Sequence, residues 1–285
     1  MKKWIAYIAY VIIILAAFLY LLFPSADIKN YIIQRAERFS PAVSVAIGSV
    51  SPCLAPGLKF SDLDISLRGQ AVFNASEIRI RPKYLSLLSE NKTFLVKGDV
   101  YGGTLDGKAR IKNRSGSEYS SDVTFVDVQI RHIGVLNEIL PHEIYGDAAG
   151  SIQYTTKNGS WGNGEAEITI TGCRIELKPP IFGVKDLAPG KVNAVIKFQN
   201  RRASVQKITV DGEQMAGNVS GTIDLDRQLA NSRLRLSGTI KPYPSLIKEL
   251  GKSVPSHLLS KSDYADKGIA FRVSGTIGRP NFSLR

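Results

Sequence analysis

Acid pairs, histidines and cysteines are the residues that would carry chemistry in this chain. Asp62 with Asp64, and Asp224 with Asp226, stand two residues apart. That spacing puts both carboxylates on one face of a strand, or in one turn. Such a pair suits a hard cation, but neither sits in a loop of calcium-binding spacing, and solvent-facing strand positions account for both pairs. The three histidines, His132, His142 and His257, are too scattered to build a metal site. Cys53 and Cys173 belong to no C-x-x-C motif, and their spacing leaves a disulfide between them open. No G-x-S-x-G elbow, Walker A loop or H-E-x-x-H pair occurs. The expectation is a non-enzymatic protein, with no cofactor and no metal, that spends its polar residues on turns and outer faces.

The element that places everything else is at the N-terminus. Ile5 to Phe23 is an apolar run of nineteen residues without charge, Gly or Pro. As a helix it would be about 28 Å long, close to the hydrocarbon thickness of a bilayer. Lys2 and Lys3 precede it, and Trp4 sits at the interfacial position. This flank predicts a cytoplasmic N-terminus and a translocated body. The run exceeds the apolar core of a cleavable signal, and Pro24-Ser25-Ala26 is a poor cleavage site, so an uncleaved anchor is expected. The chain of 285 residues carries 37 Lys and Arg against 25 Asp and Glu, a formal charge of +12. In a cytosolic protein that surplus would suggest nucleic acid. In a translocated body it points instead to an anionic membrane surface, an anionic lipid or an acidic partner.

After the anchor, Asp27 to Phe39 reads as a short amphipathic helix with Ile28, Ile32, Ala36 and Phe39 on one stripe, stopped by Pro41. Its apolar stripe is short, which favours packing against a core over lying on a membrane. From Val43 onward the apolar period changes to two. Leu63, Ile65 and Leu67 alternate with polar residues, as do Ala194, Ile196 and Phe198, and Ile269, Phe271 and Val273. Turn clusters such as Asn113 to Gly116 separate the runs. This predicts an all-β body of short strands. The alternation slips phase at Phe125–Val126, which predicts a bulge. One- or two-turn helices are expected at Tyr84–Ser89, Ile133–Leu140 and Tyr243–Leu250. Arg79, Arg81 and Lys83, and again Lys108, Arg110 and Lys112, form basic stripes on outward faces, where they also protect strand edges.

Two repeats stand out. Val96 to Ile111 matches Val210 to Leu225 at a constant offset of 114 residues, a sign of internal duplication. Ser-Gly-Thr-Ile recurs verbatim at 220–223, 237–240 and 274–277. In each copy Gly is in phase with the apolar residues. Such an inward glycine marks either a sharp bend or space taken by something else, of which the functional version is an apolar groove for acyl chains. The groove candidates are Leu105, Gly107, Val219, Gly221, Leu236, Gly238, Val273 and Gly275.

The expected organisation is a cytoplasmic stub and transmembrane anchor over 1–23, a juxtamembrane helix over 24–41, and a periplasmic β-rich domain over 42–285. That domain divides, if anywhere, at the proline-rich stretch 179–190, into halves of about 42–178 and 179–285.

An uncleaved anchor followed by "SVAIGSVSPCLAPGLKFSDLDISL", "EIRIRPKYLSLL" and "VKGDVYGGTLDGKARI" resembles the start of AsmA-like proteins. The ending, "GNVSGTIDL", "RLRLSGTIKP" and "FRVSGTIGRPNFSL", is similar to the C-terminal part of the type II secretion system protein N family, whose size and single anchor fit best. The resemblance implies a single-pass bacterial inner-membrane protein with a mainly β, curved antiparallel periplasmic domain. It implies other secretion-system subunits in the envelope as partners and no catalytic residues. The AsmA-like side of it implies instead a groove for phospholipid or lipopolysaccharide. Nucleic acid is not an expected partner.

Overall fold

A computed structural model describes residues 2–39, 42–53, 57–112, 118–140, 142–157, 162–181, 184–250 and 268–284. Pro41, the turn at Asn113 to Gly116 and His257 lie outside the described residues. The first helix, α1, covers Lys2–Leu21. About half of its side chains, those of Lys2 and Lys3 among them, are also outside the described set. Among the described residues no helix is long and apolar enough to cross a membrane. The described side chains of α1, such as Trp4, Ile8, Val11 and Phe18, are exposed. A second helix, α2, covers Ser25–Phe39.

The body is one antiparallel sheet of fourteen strands whose order in space is their order in the chain. The first half comprises β1 (Val43–Pro52), β2 (Leu58–Leu67), β3 (Gln70–Pro82), β4 (Lys92–Val100), β5 (Gly103–Lys112), β6 (Glu118–Gln129) and β7 (Glu143–Lys157). The second comprises β8 (Asn163–Ile181), β9 (Val184–Gln199), β10 (Arg202–Asp211), β11 (Met215–Asp224), β12 (Arg233–Pro242), β13 (Ile269–Thr276) and β14 (Arg279–Leu284). Short helices interrupt three connections: α3 (Tyr84–Leu87), α4 (Gly134–Ile139) and α5 (Pro244–Leu250). The period-two alternation is what this architecture requires, since each strand buries one face and wets the other.

Because the order is consecutive, alternate connections share an end of the sheet. The β1–β2, β3–β4 and β11–β12 connections lie at one end. The β4–β5, β6–β7 and β10–β11 connections lie at the other. Helix α2 runs opposite to β1. Lys29, near its start, donates to the carbonyl of Gly48 at 3.1 Å, while Phe39 at its end must reach Val43, the first residue of β1. Ile28, Ile32 and Ile33 of α2 pack on a core built from Ile47, Val50, Phe60, Ala75, Ile78 and Val100. The α2 stripe thus closes one end of the β-core. Helix α4 also lies against β3, three strands away in sheet order, which requires the sheet to curl toward it. A second, smaller core holds Leu234, Phe271 and Val273.

Three details differ from the sequence reading or refine it. The described part of the proline-rich stretch, 179–181 and 184–190, is strand: β8 runs through Pro179-Pro180 and β9 through Pro189-Gly190. Proline is tolerated there because pairing lapses. No register partner joins β8 to β9 between Glu176 and Ile181, and β7 pairs with β8 only as far as Glu176. A proline lacking N–H therefore removes no ladder bond. The slip at Phe125–Val126 is a bulge, with the register shifting between Phe125 and Val128 and Asp127 at φ 57°. The 114-residue repeat forms the β4–β5 and β10–β11 hairpins, but their turns differ. The first closes on Tyr101-Gly102, with φ 51° and 81° as in a primed turn. The second closes across Gly212 and Met215.

Candidate functional site

The registers line residues of one parity into rows that cross the sheet. One row takes Val50, Phe60, Ile78, Gly98, Leu105, Phe125 and Gly150 from β1 to β7. It continues through Ile168 and Ala194 on β8 and β9. Lys207 pairs with Val195, so Ile208 stands beside Ala194, and the row proceeds to Val219, Gly238, Phe271 and Leu284 on β11 to β14. All fourteen strands contribute, and every contribution is apolar or glycine. At about 4.8 Å per strand, the row is roughly 62 Å wide along the sheet.

A second row lies two residues along. It holds Ile80, Val96, Gly107, Val123, Ile152, Ala166 and Ile196. After the bulge between Val205 and Ile208 it resumes with Val205, Gly221, Leu236, Val273 and Phe282. Seven of the eight groove candidates therefore fall on these two rows. Gly275, opposite Pro280 on β14, lies in the next. The structure brings Val219, Gly221, Leu236, Gly238 and Val273 into one patch over β11–β13. Leu105 and Gly107 share their face but stand six strands away, about 29 Å along the sheet. Burial is greatest toward the two ends of the first row: Val50, Phe60 and Ile78 belong to the α2 core and Phe271 to the second core, while Leu105, Phe125, Ile168, Ala194 and Val219 between them are half-buried.

The opposite face is polar in the same register. Ser51, Lys59, Arg79, Lys97, Asp106, Thr124, Ser151 and Glu167 form its row over β1 to β8. Lys59, Arg79 and Lys97 are directly opposed like charges, a destabilising arrangement unless compensated. Glu77 bridges Lys59 and Arg79, and Lys97 pairs with Asp106 at 2.6 Å. The Lys59 ammonium holds the Glu77 carboxyl below the usual range, with Arg79 contributing.

The glycines fill a different role from a slot. A Cβ on Gly221 would stand 2.1 Å from the Arg235 carbonyl, and the residue has φ +143°. A Cβ on Gly238 would stand 2.1 Å from the Asn218 carbonyl and 3.0 Å from the Phe271 ring. The room at these positions is taken by the neighbouring strand and its large side chain. Each glycine also faces an apolar partner across both ladders, as Gly238 faces Val219 and Phe271. The glycines thus let adjacent strands approach on the apolar face, which is what inward curl demands. The surface available to a ligand is the row of half-buried apolar side chains between them.

Other candidates are engaged elsewhere. Asp64 accepts from the Asn74 amide, and Asp226 accepts from the Gln228 N–H at 3.0 Å. Asp224 accepts from Arg202 at 2.8 Å and pairs with Arg235, and the Arg202 bond is the main cause of its lowered pKa. Among the described residues no group of three metal-ligating side chains converges. Cys53 and Cys173 are both free, with Cys173 buried on β8 and its thiol pushed up by that burial. Trp4 is exposed on α1. The helical turn expected at Tyr84–Ser89 is present as α3, but its leucines drew no reading from the sequence, and their placement at a sheet end leaves them exposed. Comparison with family models, curated proteins and solved structures finds no match.

Proposed function

We propose that this chain is a non-enzymatic, membrane-anchored protein of the bacterial envelope that holds lipid acyl chains along the apolar face of its sheet. In this reading α1 anchors it in the inner membrane, the N-terminus is cytoplasmic, and the body is periplasmic. The observation that carries the reading is the fourteen-residue apolar row, half-buried over much of its width and backed over β1 to β8 by a row of polar residues. Contiguous apolar surface of this extent is costly in water and marks a binding face. The bare apolar sides of α1 support the anchor. Phospholipid or lipopolysaccharide supplies chains of the right chemistry, in line with the AsmA-like resemblance.

Photocrosslinking in cells tests it. A benzophenone amino acid at Ile152, on the apolar face and 38% exposed, should form lipid adducts. The same group at Gln153, the next residue and on the polar face, should not. Equal labelling at the two positions, or none at either, would refute the reading.

A second reading is an accessory component of the type II secretion machinery, working through periplasmic protein contacts. It is favoured by β14, which among the described residues ends the sheet and pairs with β13 alone. Such an edge offers its backbone to a strand of another protein. Trapping of exported proteins in the periplasm of a deletion strain, with outer-membrane lipid unchanged, would support it over the first.

A further inference from the structure

Helix α3 is built inside out. Its segment, Tyr84-Leu-Ser-Leu-Leu88, connects β3 to β4 and turns its one serine, Ser86, toward the first residues of β4. Ser86 Oγ donates to the Lys83 carbonyl at 2.5 Å and accepts from the Thr93 N–H at 2.9 Å, with Thr93 itself buried. Ser89 Oγ donates to the carbonyls of Ser86 and Asn91 at 2.9 and 2.8 Å. With Ser86 held against β4, the leucines face out: Leu85 is 81% exposed and Leu88 is 91% exposed, and Tyr84 and Leu87 are exposed beside them. A short helix in water has its polar and apolar faces the other way round.

Charge surrounds this apolar tip. Lys83 and Lys92 flank it in sequence, and Arg81 and Lys112 lie at the same end of β3 and β5. Lys83, Lys92 and Lys112 form no ion pair among the described residues. The acids nearby are Glu90, in the same connection, and Glu118, opposite Lys112 in register. The tip therefore pairs protruding leucines with a net basic collar, the composition of a segment that enters the boundary of an anionic bilayer.

The topology puts that tip at the end nearest the anchor. Helix α2 runs opposite to β1, so its start, where α1 joins, lies toward the end of the sheet that carries the β1–β2 and β3–β4 connections. Helix α3 is two strands from β1, about 10 Å along the sheet.

We propose that α3 is a second membrane contact, inserting Leu85 and Leu88 into the anionic leaflet that faces the body while Lys83 and Lys92 meet lipid phosphates. The proposal rests on the anchoring part of the function above, and not on lipid in the apolar face. Together α1 and α3 hold the sheet at two points and fix which end stands on the bilayer.

Depth-dependent quenching tests this on the full chain. Leu88→Trp and, as a control at the opposite end of the sheet, Glu213→Trp are each reconstituted into vesicles of phosphatidylglycerol, phosphatidylethanolamine and brominated phosphatidylcholine. Both sites are exposed, so neither substitution disturbs packing. The expected result is bromine quenching and a blue shift for Leu88→Trp beyond the parent protein, with neither change for Glu213→Trp. Adding Lys83→Gln and Lys92→Gln should lower the inserted-to-free ratio roughly twenty-five-fold, two cations at about fivefold each near an anionic surface. A chain that floats with the vesicles but shows no quenching at position 88 overturns the proposal and leaves the anchor intact. In that outcome the tip faces water or a protein partner. A chain that does not float overturns the anchor and α3 docking together.

Discussion

Alanine at two glycines of the apolar face should have unequal effects, and the inequality can be worked from the structure. At Gly221 a Cβ meets the Arg235 carbonyl at 2.1 Å and the Leu236 Cα at 2.8 Å, and φ is +143°. Backbone in that region costs a non-glycine residue about 1–3 kcal/mol. Pushing β12 aside adds an overpacking cost of about 1–3 kcal/mol. At Gly107 the nearest atoms are Val123 Cγ2 at 3.2 Å, which a small movement of one methyl relieves, and the Asp122 carbonyl at 3.4 Å, an ordinary van der Waals contact. There the loss of unfolded-state freedom returns about 0.4–1 kcal/mol, so Gly107→Ala should stay within about 1 kcal/mol of the parent. Gly221→Ala should lose about 4 kcal/mol. For a domain of this size, each kcal/mol moves the midpoint by about 2–4 °C. The expected shifts are about 8–16 °C downward for Gly221→Ala and under about 4 °C for Gly107→Ala. Thermal unfolding of the full chain in detergent, followed by circular dichroism, measures both. Similar midpoints for the two variants would refute the account of these glycines as points of strand approach. If glycines instead left room for ligand, both alanines would be tolerated thermally and would reduce bound lipid.

Two further outcomes follow from the ionisable groups. Glu77, Glu143 and Asp224 have pKa values lowered chiefly by hydrogen bonds from Lys59, Lys178 and Arg202. Their stabilisation is present above the ordinary carboxylate pKa and is lost as pH falls through the lowered folded values. The midpoint should therefore decline in acid, and Arg202→Gln should flatten part of that decline in a midpoint-against-pH series; an identical acid limb in the variant would contradict the assignment. With a thiol reagent and no reductant, both cysteines should titrate, half-exposed Cys53 before buried Cys173, whose thiol burial pushes up. No free thiol before reduction would contradict it.

Much of this fold was legible in the residues, because a strand that buries one face must alternate and a bulge must break the alternation. The phase slip at Phe125–Val126 located a bulge for that reason. What the pattern could not supply was register. Leu105 and Val219 look like independent apolar positions until pairing sets them in one row, and register is decided by turns as different as Tyr101-Gly102 and the Gly212–Met215 closure. Prolines misled at 179–190, since proline excludes a ladder hydrogen bond but not an extended backbone, and β8 is unpaired there. The inward glycines stand out in the sequence, yet bend and slot leave the same letters; only the space a Cβ would meet, closed by the Arg235 and Asn218 carbonyls, separates them. The exposure of the α3 leucines was not legible for a related reason. Apolar spacing tells which residues avoid water, not whether protein or lipid shields them.

The strictly consecutive strand order also bears on how the molecule is made. Each strand finds its partner one hairpin away, and helix α2 finds its place on the strand that follows it. A growing chain therefore never waits for a distant segment: every strand that emerges has a finished edge to join. Assembly can proceed as a zipper from β1 onward, with low contact order. The same logic lets the sheet lengthen or shorten by whole hairpins at β14 without repacking what came before, as in a solenoid. The width of the apolar surface is then a quantity that insertion or loss of a hairpin resets in steps of two strands.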